Sequence, residues 1–260
     1  MLLKDRVALV TGGARGIGRG IALKFAEEGC AVAIADIKET EAEQTLKGIA
    51  GKGSKGIFIK CDATDSSQVK QMVNKVISTF GKIDILVNNA GGFTVAVPLS
   101  EITEEAWDKN VDLNMKSTFL VTKAVAPYMI EKKYGKIINL SSVAAITSGP
   151  PSIHYASSKG GVLSMTFDLA GELGRYGICV NAILPGTIRT PLWTETNVPK
   201  GANEDEFFDG MAKKMILLQR AGYPEDIAGV ALFFASSLSD YVTGDRLIVG
   251  GGFPLQMPPF

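Results

Sequence analysis

Two side chains that lie one helical turn apart, Tyr155 and Lys159, form a pair that could move a proton. Residues i and i+4 of a helix share one face, so the phenol and the ammonium would point in the same direction. A free tyrosine has a pKa of about 10 and is a poor base at neutral pH. A neighbouring cation favours the phenolate and lowers that pKa, so this spacing suits acid–base chemistry by a tyrosine.

His154 is the only histidine of the chain and precedes Tyr155 directly. Histidine is a common general base at neutral pH, which makes it a competing candidate. Adjacent residues of a helix point about 100° apart, however, so His154 does not share the face of Tyr155 and Lys159. We predict that the tyrosine handles the proton, and that His154 lies at the rim of the pocket or meets a neighbouring subunit.

Two more polar residues are candidates for the same site, and they strengthen a pair that is weak when taken alone. Ser142 ends the apolar stretch GKIINLSS at residues 135–142. In open α/β sheets ligands bind outside the carboxyl ends of the strands, so this hydroxyl could hydrogen-bond a substrate oxygen. Asn114 lies within a predicted long helix, where asparagine is unfavourable and suggests a functional role.

A glycine-rich turn, TGGARGIG at residues 11–18, joins the first predicted strand to the first predicted helix. Gly12 permits a tight turn, Gly16 lets the backbone approach a pyrophosphate, and Gly18 allows the helix to pack closely on the strand. The free N–H groups and the dipole of the helix N-terminus favour an anion there. The spacing is G-x-x-x-G-x-G and not G-x-G-x-x-G, but its position predicts a dinucleotide site.

Residues at the ends of the second and third predicted strands bear on which dinucleotide binds. Asp36 stands near the position where a carboxylate holds the adenosine ribose hydroxyls, and Ile37 beside it offers no cation to a 2′-phosphate. The sequence therefore favours NAD over NADP. Arg15 opposes this, because it could reach a 2′-phosphate; alternatively it is exposed or faces the diphosphate. Asp62 either accepts from the adenine amino group or serves as a helix N-cap or turn residue.

The scaffold that would bring these residues together follows from the alternation of short apolar runs with amphipathic, helix-length segments. Strands that are apolar throughout predict a parallel sheet buried on both faces. The predicted fold class is α/β, a Rossmann-type doubly wound sheet of about seven parallel strands with helices on both faces. The predicted strands are residues 6–12, 30–36, 55–62, 83–91, 135–142, 178–186 and 245–252. The predicted helices are residues 16–28, 38–50, 66–80, 104–132 (one or two helices), 155–175 and 224–236.

Length and composition limit the classes of protein that fit. The chain has 260 residues, 46% of them hydrophobic, with 27 Lys+Arg against 27 Asp+Glu. We expect a single domain over residues 1–260, with a polar segment at about 187–215 acting as a substrate lid. Zero net charge argues against a nucleic-acid partner, and the apolar runs are far shorter than the roughly 20 residues that cross a membrane. One histidine and three scattered cysteines predict no metal site.

The N-terminus reads as a first strand and not as a signal peptide, and we expect a cytoplasmic, disulfide-free protein.

With the motifs above, NNAG at 88–91 and PGTIRTP at 185–191 complete a pattern that resembles the short-chain dehydrogenase/reductase family over almost the entire chain. The resemblance implies that Tyr155 is the general acid/base and that Lys159 lowers its pKa and binds the nicotinamide ribose. It also implies that Ser142 orients the substrate oxygen and that Asn114 holds a water linking Lys159 to solvent.

The resemblance further implies a set of residues along the cofactor, with Asn88 partly structural and Ile188 offering its backbone N–H to the carboxamide. These residues are Gly12, Arg15, Gly16, Ile17, Gly18, Asp36, Ile37, Asp62, Ala63, Asn88, Ala90, Gly91, Tyr155, Lys159, Pro185, Gly186, Ile188 and Thr190. Homotetramers built on the long central helices are common in the family, and we expect one here.

The expected function is NAD-dependent interconversion of a secondary alcohol and a ketone, both small molecules. The alternative within the family is a 3-oxoacyl-carrier-protein-type ketoreductase, which usually looks NADP-dependent and is opposed by Asp36. A non-enzyme alternative is an NAD-sensing regulatory protein; such a protein would be free to lose Tyr155 or Ser142, and this chain keeps both. A serine hydrolase would need G-x-S-x-G, which is absent around Ser142.

The identity of the alcohol or ketone and the direction of the reaction stay open. The candidate lining of the substrate pocket is residues 92–94 and 144–152 together with the lid, in which Trp193, Phe207 and Phe208 are the aromatic residues. Lys200 and Lys213 either meet an anionic substrate or are solvated. The proline-rich residues 253–260 either close a neighbour's pocket in a tetramer or form a loosely packed tail.

Overall fold

The computed structural model describes residues 1–92, 97–148, 152–253 and 255. Across these residues seven strands form one sheet, in the order β3-β2-β1-β4-β5-β6-β7, and all of the neighbouring pairs are parallel. The strands are β1 (Val7–Thr11), β2 (Ala31–Asp36), β3 (Gly56–Lys60), β4 (Ile85–Asn88), β5 (Gly135–Leu140), β6 (Ile178–Pro185) and β7 (Arg246–Val249). The order changes direction between β1 and β4, and a ligand crevice is expected at such a switch point.

Helices cover both faces of the sheet, so the predicted doubly wound α/β class is confirmed. The helices are α1 (Gly16–Glu27), α2 (Glu39–Gly51), α3 (Ser66–Phe80), α4 (Glu104–Val111), α5 (Ser117–Lys132), α6 (Ile153–Leu173), α7 (Pro191–Asn197), α8 (Glu204–Met215) and α9 (Pro224–Ala235). In one buried cluster, strand residues such as Val10 pack with α1, α2 and α9. In the other, residues such as Leu9 pack with α3, α5 and α6. Successive side chains of a strand thus fill two different cores.

The element boundaries depart from the sequence predictions at several places that matter for the site. Strand β4 ends at Asn88, three residues before the predicted end at 91, which leaves NNAG mostly in a loop. The region predicted as one or two helices contains α4 and α5, joined by a π-helical turn at Asp112–Lys116. Helix α6 begins at Ile153, two residues earlier than predicted. The segment at 187–215 holds α7 and α8, where no helix was predicted.

No helix among the described residues is long and apolar enough to span a membrane. Likewise, over the described part of the chain, no group of three or more histidine, cysteine, aspartate or glutamate side chains could hold a metal ion. Of the proline-rich stretch at 253–260, all except 253 and 255 lies outside the described residues, as do 93–96 and 149–151.

Candidate active site

A cleft of about 1530 Å³ runs along the carboxyl edge of the sheet. Thr11 at the end of β1, Asp36 at the end of β2 and Leu140 at the end of β5 all contribute to its walls. Most of the residues predicted from the sequence line it. They are Gly12, Arg15, Gly16, Ile17, Asp36, Ile37, Asp62, Ala63, Ala90, Gly91, Ser142, Tyr155, Lys159, Pro185, Gly186, Ile188 and Thr190.

The glycine-rich turn has the backbone that its glycines were predicted to permit. Gly12 and Gly16 have φ angles of +63° and +57°, in the left-handed region that side chains disfavour. A Cβ atom on Gly18 would lie 2.1 Å from the Gly12 carbonyl oxygen, so only glycine allows α1 to sit this close to the turn. The first turn of α1 carries no acidic residue, and Arg15 at its N-cap makes no side-chain capping bond. These residues fit a pyrophosphate held by the helix N-terminus.

Asp36 and Arg15 flank this turn and are both engaged by protein groups. The Asp36 carboxylate accepts from the backbone N–H of Ala14 and of Lys38, each at 3.0 Å, and so holds the turn against the end of β2. The Arg15 guanidinium donates both of its Nη groups to the two carboxylate oxygens of Glu195 on α7, at 2.5 and 3.0 Å. This ion pair raises the pKa of Arg15 and lowers that of Glu195.

Asp62 faces the cleft while closing a local turn. Its Oδ1 accepts from the backbone N–H and from the hydroxyl of Thr64, at 2.9 and 2.7 Å. The N-cap of α3 is Asp65, whose side chain accepts from Ser67 and Gln68. Of the interpretations offered for Asp62, the helix N-cap is therefore wrong, and the turn residue is observed.

Tyr155, Ser142 and Lys159 meet where the carboxyl end of β5 faces the first turns of α6. The hydroxyls of Tyr155 and Ser142 are hydrogen-bonded to each other. The Lys159 Nζ lies 5.9 Å from the centre of the Tyr155 ring and donates to the Leu140 carbonyl oxygen at 2.8 Å. The backbone N–H of Ala144 donates to the Ser142 Oγ at 3.1 Å, which fixes the serine side chain.

Burial dominates the electrostatics of this group. It raises the pKa of Tyr155 above its ordinary value of 10, and the hydrogen bond from Ser142 opposes that rise only in part. It also lowers the pKa of Lys159 to about 8. Within the chain, the cost of burying a phenolate thus dominates the pKa of Tyr155, and the expected lowering by Lys159 is not observed.

Asn114 stands one layer behind these residues and does not line the cleft. It is fully buried in the π-helical turn; its Oδ1 accepts from the Gly92 N–H at 3.1 Å and its Nδ2 donates to the Gly92 carbonyl at 2.9 Å. A Cβ on Gly91 would lie 2.7 Å from Asn114 Oδ1 and 3.2 Å from Lys159 Nζ, so both groups border the same glycine. Single π-helical turns recur at functional sites, in keeping with the functional role suggested by this asparagine.

Two further predicted positions, Gly18 and Asn88, do not line the cleft. Gly18 serves packing only, as described above, and the buried Asn88 donates to Thr122 Oγ1 and Asn139 Oδ1, both at 2.9 Å. The predicted structural role of Asn88 is thus observed. The neighbouring Asn89, which was not among the predicted residues, lines the cleft. The Asn89 Nδ2 donates to the carbonyls of Thr11 and Gly12 at 3.0 and 2.9 Å.

His154 is completely buried and is not part of the cleft wall. The expectation of a histidine at the pocket rim or against a neighbouring subunit is therefore wrong. Burial lowers the pKa of His154, as it does for an imidazole removed from water. The prediction that it does not share the face of Tyr155 and Lys159 agrees with this placement.

Helices α7 and α8 form the outer wall of the cleft. The rings of Trp193, Phe207 and Phe208 cluster with centroid separations of 5.3 to 6.2 Å, which joins the two helices. Trp193 also lines the cleft, whereas neither Lys200 nor Lys213 does. Of the candidate lining residues outside the lid, the cleft includes Gly92, Ala144, Thr147, Ser148 and Ser152. Phe253, the first residue of the proline-rich stretch, also lines this chain's own cleft.

A doubly wound parallel sheet with a glycine-rich turn at its switch point is the architecture of the dinucleotide-binding oxidoreductases. Comparison with known proteins narrows this class. A family model described as enoyl-(acyl carrier protein) reductase matches residues 12–254. The 3-oxoacyl-[acyl-carrier-protein] reductase FabG of Thermotoga maritima is 42% identical over 252 residues, which cover 97% of this chain and 99% of that protein.

Solved structures agree with the sequence relatives. A short-chain type dehydrogenase/reductase from Mycobacterium marinum is 32% identical, covers 98% of this chain and 97% of its own, and superposes with a TM-score of 0.90. Carveol dehydrogenase from Mycobacterium avium in complex with NAD is 28% identical, covers 98% and 99% of the two chains, and has a TM-score of 0.93. The chain belongs to the short-chain dehydrogenase/reductase family and is an oxidoreductase of that family.

Proposed function

We propose that this protein is an NAD(H)-dependent oxidoreductase that interconverts a secondary alcohol and a ketone, with Tyr155 as the general acid/base. The observation that carries the proposal is the hydrogen-bonded pair of Tyr155 and Ser142 hydroxyls in the cleft, with Lys159 one helical turn away. A bound nicotinamide supplies the hydride acceptor or donor and, when oxidised, a positive charge. Tyr155 takes the alcohol proton or returns it to the ketone oxygen, and Ser142 hydrogen-bonds that same oxygen.

Lys159 has two parts in this proposal. Its ammonium, fixed by the Leu140 carbonyl at 2.8 Å, is the protein cation placed to favour the phenolate over the neutral phenol. It is also the group that would bind the nicotinamide ribose. Asn114 holds the loop at Gly92 and borders Gly91 together with Lys159, which suits a role in passing protons between Lys159 and solvent.

The residues that would hold the dinucleotide fall in three groups along the cleft. The turn from Gly12 to Gly18 would hold the diphosphate and Asp36 the adenosine ribose, while Asp62 and Ala63 would border the adenine. The backbone of Ala90 and Gly91 would follow the middle of the molecule. Pro185, Gly186, Ile188 and Thr190 would lie beside the nicotinamide, where the Ile188 N–H would bind the carboxamide.

NAD is the proposed cofactor because a carboxylate, Asp36, stands where a 2′-phosphate would have to bind. Arg15, the arginine of the glycine-rich turn, is already paired with Glu195. The resemblance to carveol dehydrogenase, which was crystallised with NAD, supports the same choice. The test is kcat/KM with NAD and with NADP on one substrate: a higher value with NAD is expected, and a higher value with NADP would refute the preference.

A 3-oxoacyl-carrier-protein reductase is the second candidate, favoured by 42% identity to the Thermotoga maritima enzyme of that name. The two candidates differ in substrate and cofactor together. Turnover of an acetoacetyl thioester with NADPH that exceeds turnover of every neutral alcohol with NAD would select the ketoreductase. A panel of secondary alcohols, polyols, sugars and sterols tests the first candidate.

Replacing Tyr155 by phenylalanine tests the catalytic assignment. Tyr155→Phe should bind NADH as the wild type does, because the ring stays in place, and kcat should fall by a factor of about 10²–10⁴ because the proton donor is lost. NADH fluorescence titration and steady-state kinetics measure the two effects. Tyr176→Phe, in the short turn that follows α6, serves as the control and should keep full kcat. Near-normal turnover by Tyr155→Phe would refute the role of Tyr155.

We also propose that the chain acts as one domain and that α7 and α8, within residues 187–215, form the substrate lid. Their position over the cleft and their apolar contacts through Trp193 and Phe208 support this. Wild-type protein that binds NADH but turns over no member of the substrate panel would instead favour an NAD-sensing regulatory protein.

A further inference from the structure

The ion pair between Arg15 and Glu195 joins the glycine-rich turn to the lid across 180 residues of sequence. Both carboxylate oxygens of Glu195 are used, and each meets a different Nη group of the arginine. This parallel, two-point arrangement is also the geometry with which a guanidinium grips a phosphate. Glu195 therefore occupies the edge of Arg15 that a phosphate would use.

The surrounding charges show why this pair matters for the cofactor. Glu195 has the strongest effect among these carboxylates on the pKa of Arg15, which it raises, and Glu41 and Asp36 raise that pKa more weakly. Arg15 and Lys38 both lower the pKa of Glu195. Lys38 also lines the cleft beside Asp36. Arg15 and Lys38 are thus surrounded by the carboxylates of Asp36, Glu41 and Glu195, and Arg15 is the cation with a two-point partner.

We propose that Glu195 is a specificity-determining residue that withholds Arg15 from a 2′-phosphate. The inference rests on the proposed function, in that it assumes dinucleotide binding in this cleft. It goes further by assigning part of the cofactor preference to a residue of the lid and not to the end of β2 alone. To bind the two Nη groups of Arg15, a 2′-phosphate on the adenosine ribose would have to displace the Glu195 carboxylate.

The same contact links cofactor choice to the lid. Helix α7, which carries Glu195, is tied to α8 through the Thr194 hydroxyl, which donates to the Glu204 carboxylate at 2.7 Å. Drawing Arg15 toward a 2′-phosphate would remove the attachment of α7 to the glycine-rich turn. NAD, which has no phosphate there, leaves that attachment intact.

A double-mutant cycle tests this inference by binding alone, without substrate. The four proteins are the wild type, Glu195→Gln, Arg15→Ala and the double variant, and the probes are NADPH and NADH followed by fluorescence titration. Glu195→Gln should tighten NADPH about three- to tenfold, because a partly exposed ion pair competes only modestly for the arginine. NADH affinity should change less than twofold. In the Arg15→Ala background, Glu195→Gln should change NADPH affinity less than twofold.

Glu206→Gln is the matched control, since it removes one carboxylate from the exposed first turn of α8 and does not act on Arg15. It should leave both affinities unchanged. Equal tightening of NADPH by Glu195→Gln with and without Arg15 would overturn the inference, because Glu195 would then act by its own charge. The inference would also be overturned if Glu195→Gln tightened NADPH binding in neither background. Wild-type protein that binds NADPH better than NADH contradicts the proposed NAD preference, yet the coupling between the two residues is still measured.

Discussion

Lys159 places a positive charge where water has little access. Its side chain is 6% exposed and its ammonium finds one carbonyl, that of Leu140, within hydrogen-bond distance. The lowered pKa of about 8 records the cost of that burial. A shift of this size corresponds to about 3 kcal/mol against the charged form at pH 7. We infer that the site keeps Lys159 for function and at the expense of stability.

This inference predicts a pH dependence of stability with a definite sign. The folded protein releases the Lys159 proton near pH 8, whereas the unfolded chain holds it to about pH 10.4. Between these values the unfolded state binds more protons, so the contribution of Lys159 to the free energy of unfolding rises with pH. Urea unfolding of the wild type and of Lys159→Met at pH 7 and 9.5 measures how this contribution to the free energy of unfolding changes with pH.

The variant should be more stable than the wild type at pH 7, by at most about 3 kcal/mol, and the difference should shrink by pH 9.5. Ser142→Ala, which alters the same site without removing a titratable group, should show no such narrowing. A difference between Lys159→Met and wild type that stays constant with pH would contradict the buried-charge argument.

At the level of single residues, the sequence predicted the members of the site better than their surroundings. Tyr155, Ser142 and Lys159 were placed by helical spacing and by the position of a strand end, and both are local rules. Asn88 and Asn89 were harder, because which of two adjacent asparagines faces the cleft depends on where β4 stops. His154 is buried by packing against other elements, and no local pattern records such packing.

At the level of elements, strand–helix alternation was sufficient to predict the sheet, because buried parallel strands are apolar throughout. The two helices at 187–215 were missed since the segment lacks apolar periodicity. Their capping residues are nevertheless visible: Thr190 before Pro191, and Asn203 before an acidic first turn. Capping signals would have identified both helices where periodicity did not.

Arg189 connects α8 to the segment that follows β6. Its guanidinium donates to Asp205 and to Asp209 on the first and second turns of α8, and it lies 4.8 Å from the centre of the Phe208 ring. Its backbone N–H donates to the Gly222 carbonyl at 2.8 Å. The guanidinium is largely buried, with 12% of the Arg189 side chain exposed, whereas its partners Asp205 and Asp209 are 84% and 58% exposed. Arg189 therefore holds α8 through its ring contact and backbone bond as well as through two solvent-screened ion pairs.

Arg189→Met should therefore loosen α8 while leaving the sheet intact. We expect faster limited proteolysis within residues 187–215 and a rise in substrate KM that exceeds the fall in kcat, because the lid orders less readily over the substrate. Arg220→Met is the control, since Arg220 forms a similar two-point pair with Asp226 outside the lid. Unchanged proteolysis of Arg189→Met, or equal acceleration in both variants, would show that Arg189 does not hold the lid.

At the level of the whole molecule, large apolar side chains on α5 and α6 face outward. Phe119 on α5 and Phe167 on α6 are 47% and 40% exposed, and both helices cover the same face of the sheet. A cation lies over each ring, Lys123 at 5.5 Å from the centre of the Phe119 ring and Arg246 at 6.0 Å from that of Phe167, and covering these rings would remove further apolar surface from water. This surface fits the predicted homotetramer built on the long central helices, in which the outer faces of α5 and α6 would be covered by another copy.

Charge placed in that surface should break the assembly and spare the fold. Wild-type protein should show four times the chain mass by light scattering after size exclusion, and Phe167→Glu should show a smaller mass because a carboxylate would be buried without a partner. Tyr241→Glu, at a fully exposed aromatic residue beyond α9, is the control and should keep the wild-type mass. A wild type that elutes as a monomer would refute the tetramer outright. A Phe167→Glu variant of unchanged mass would instead show that the copies meet through another surface.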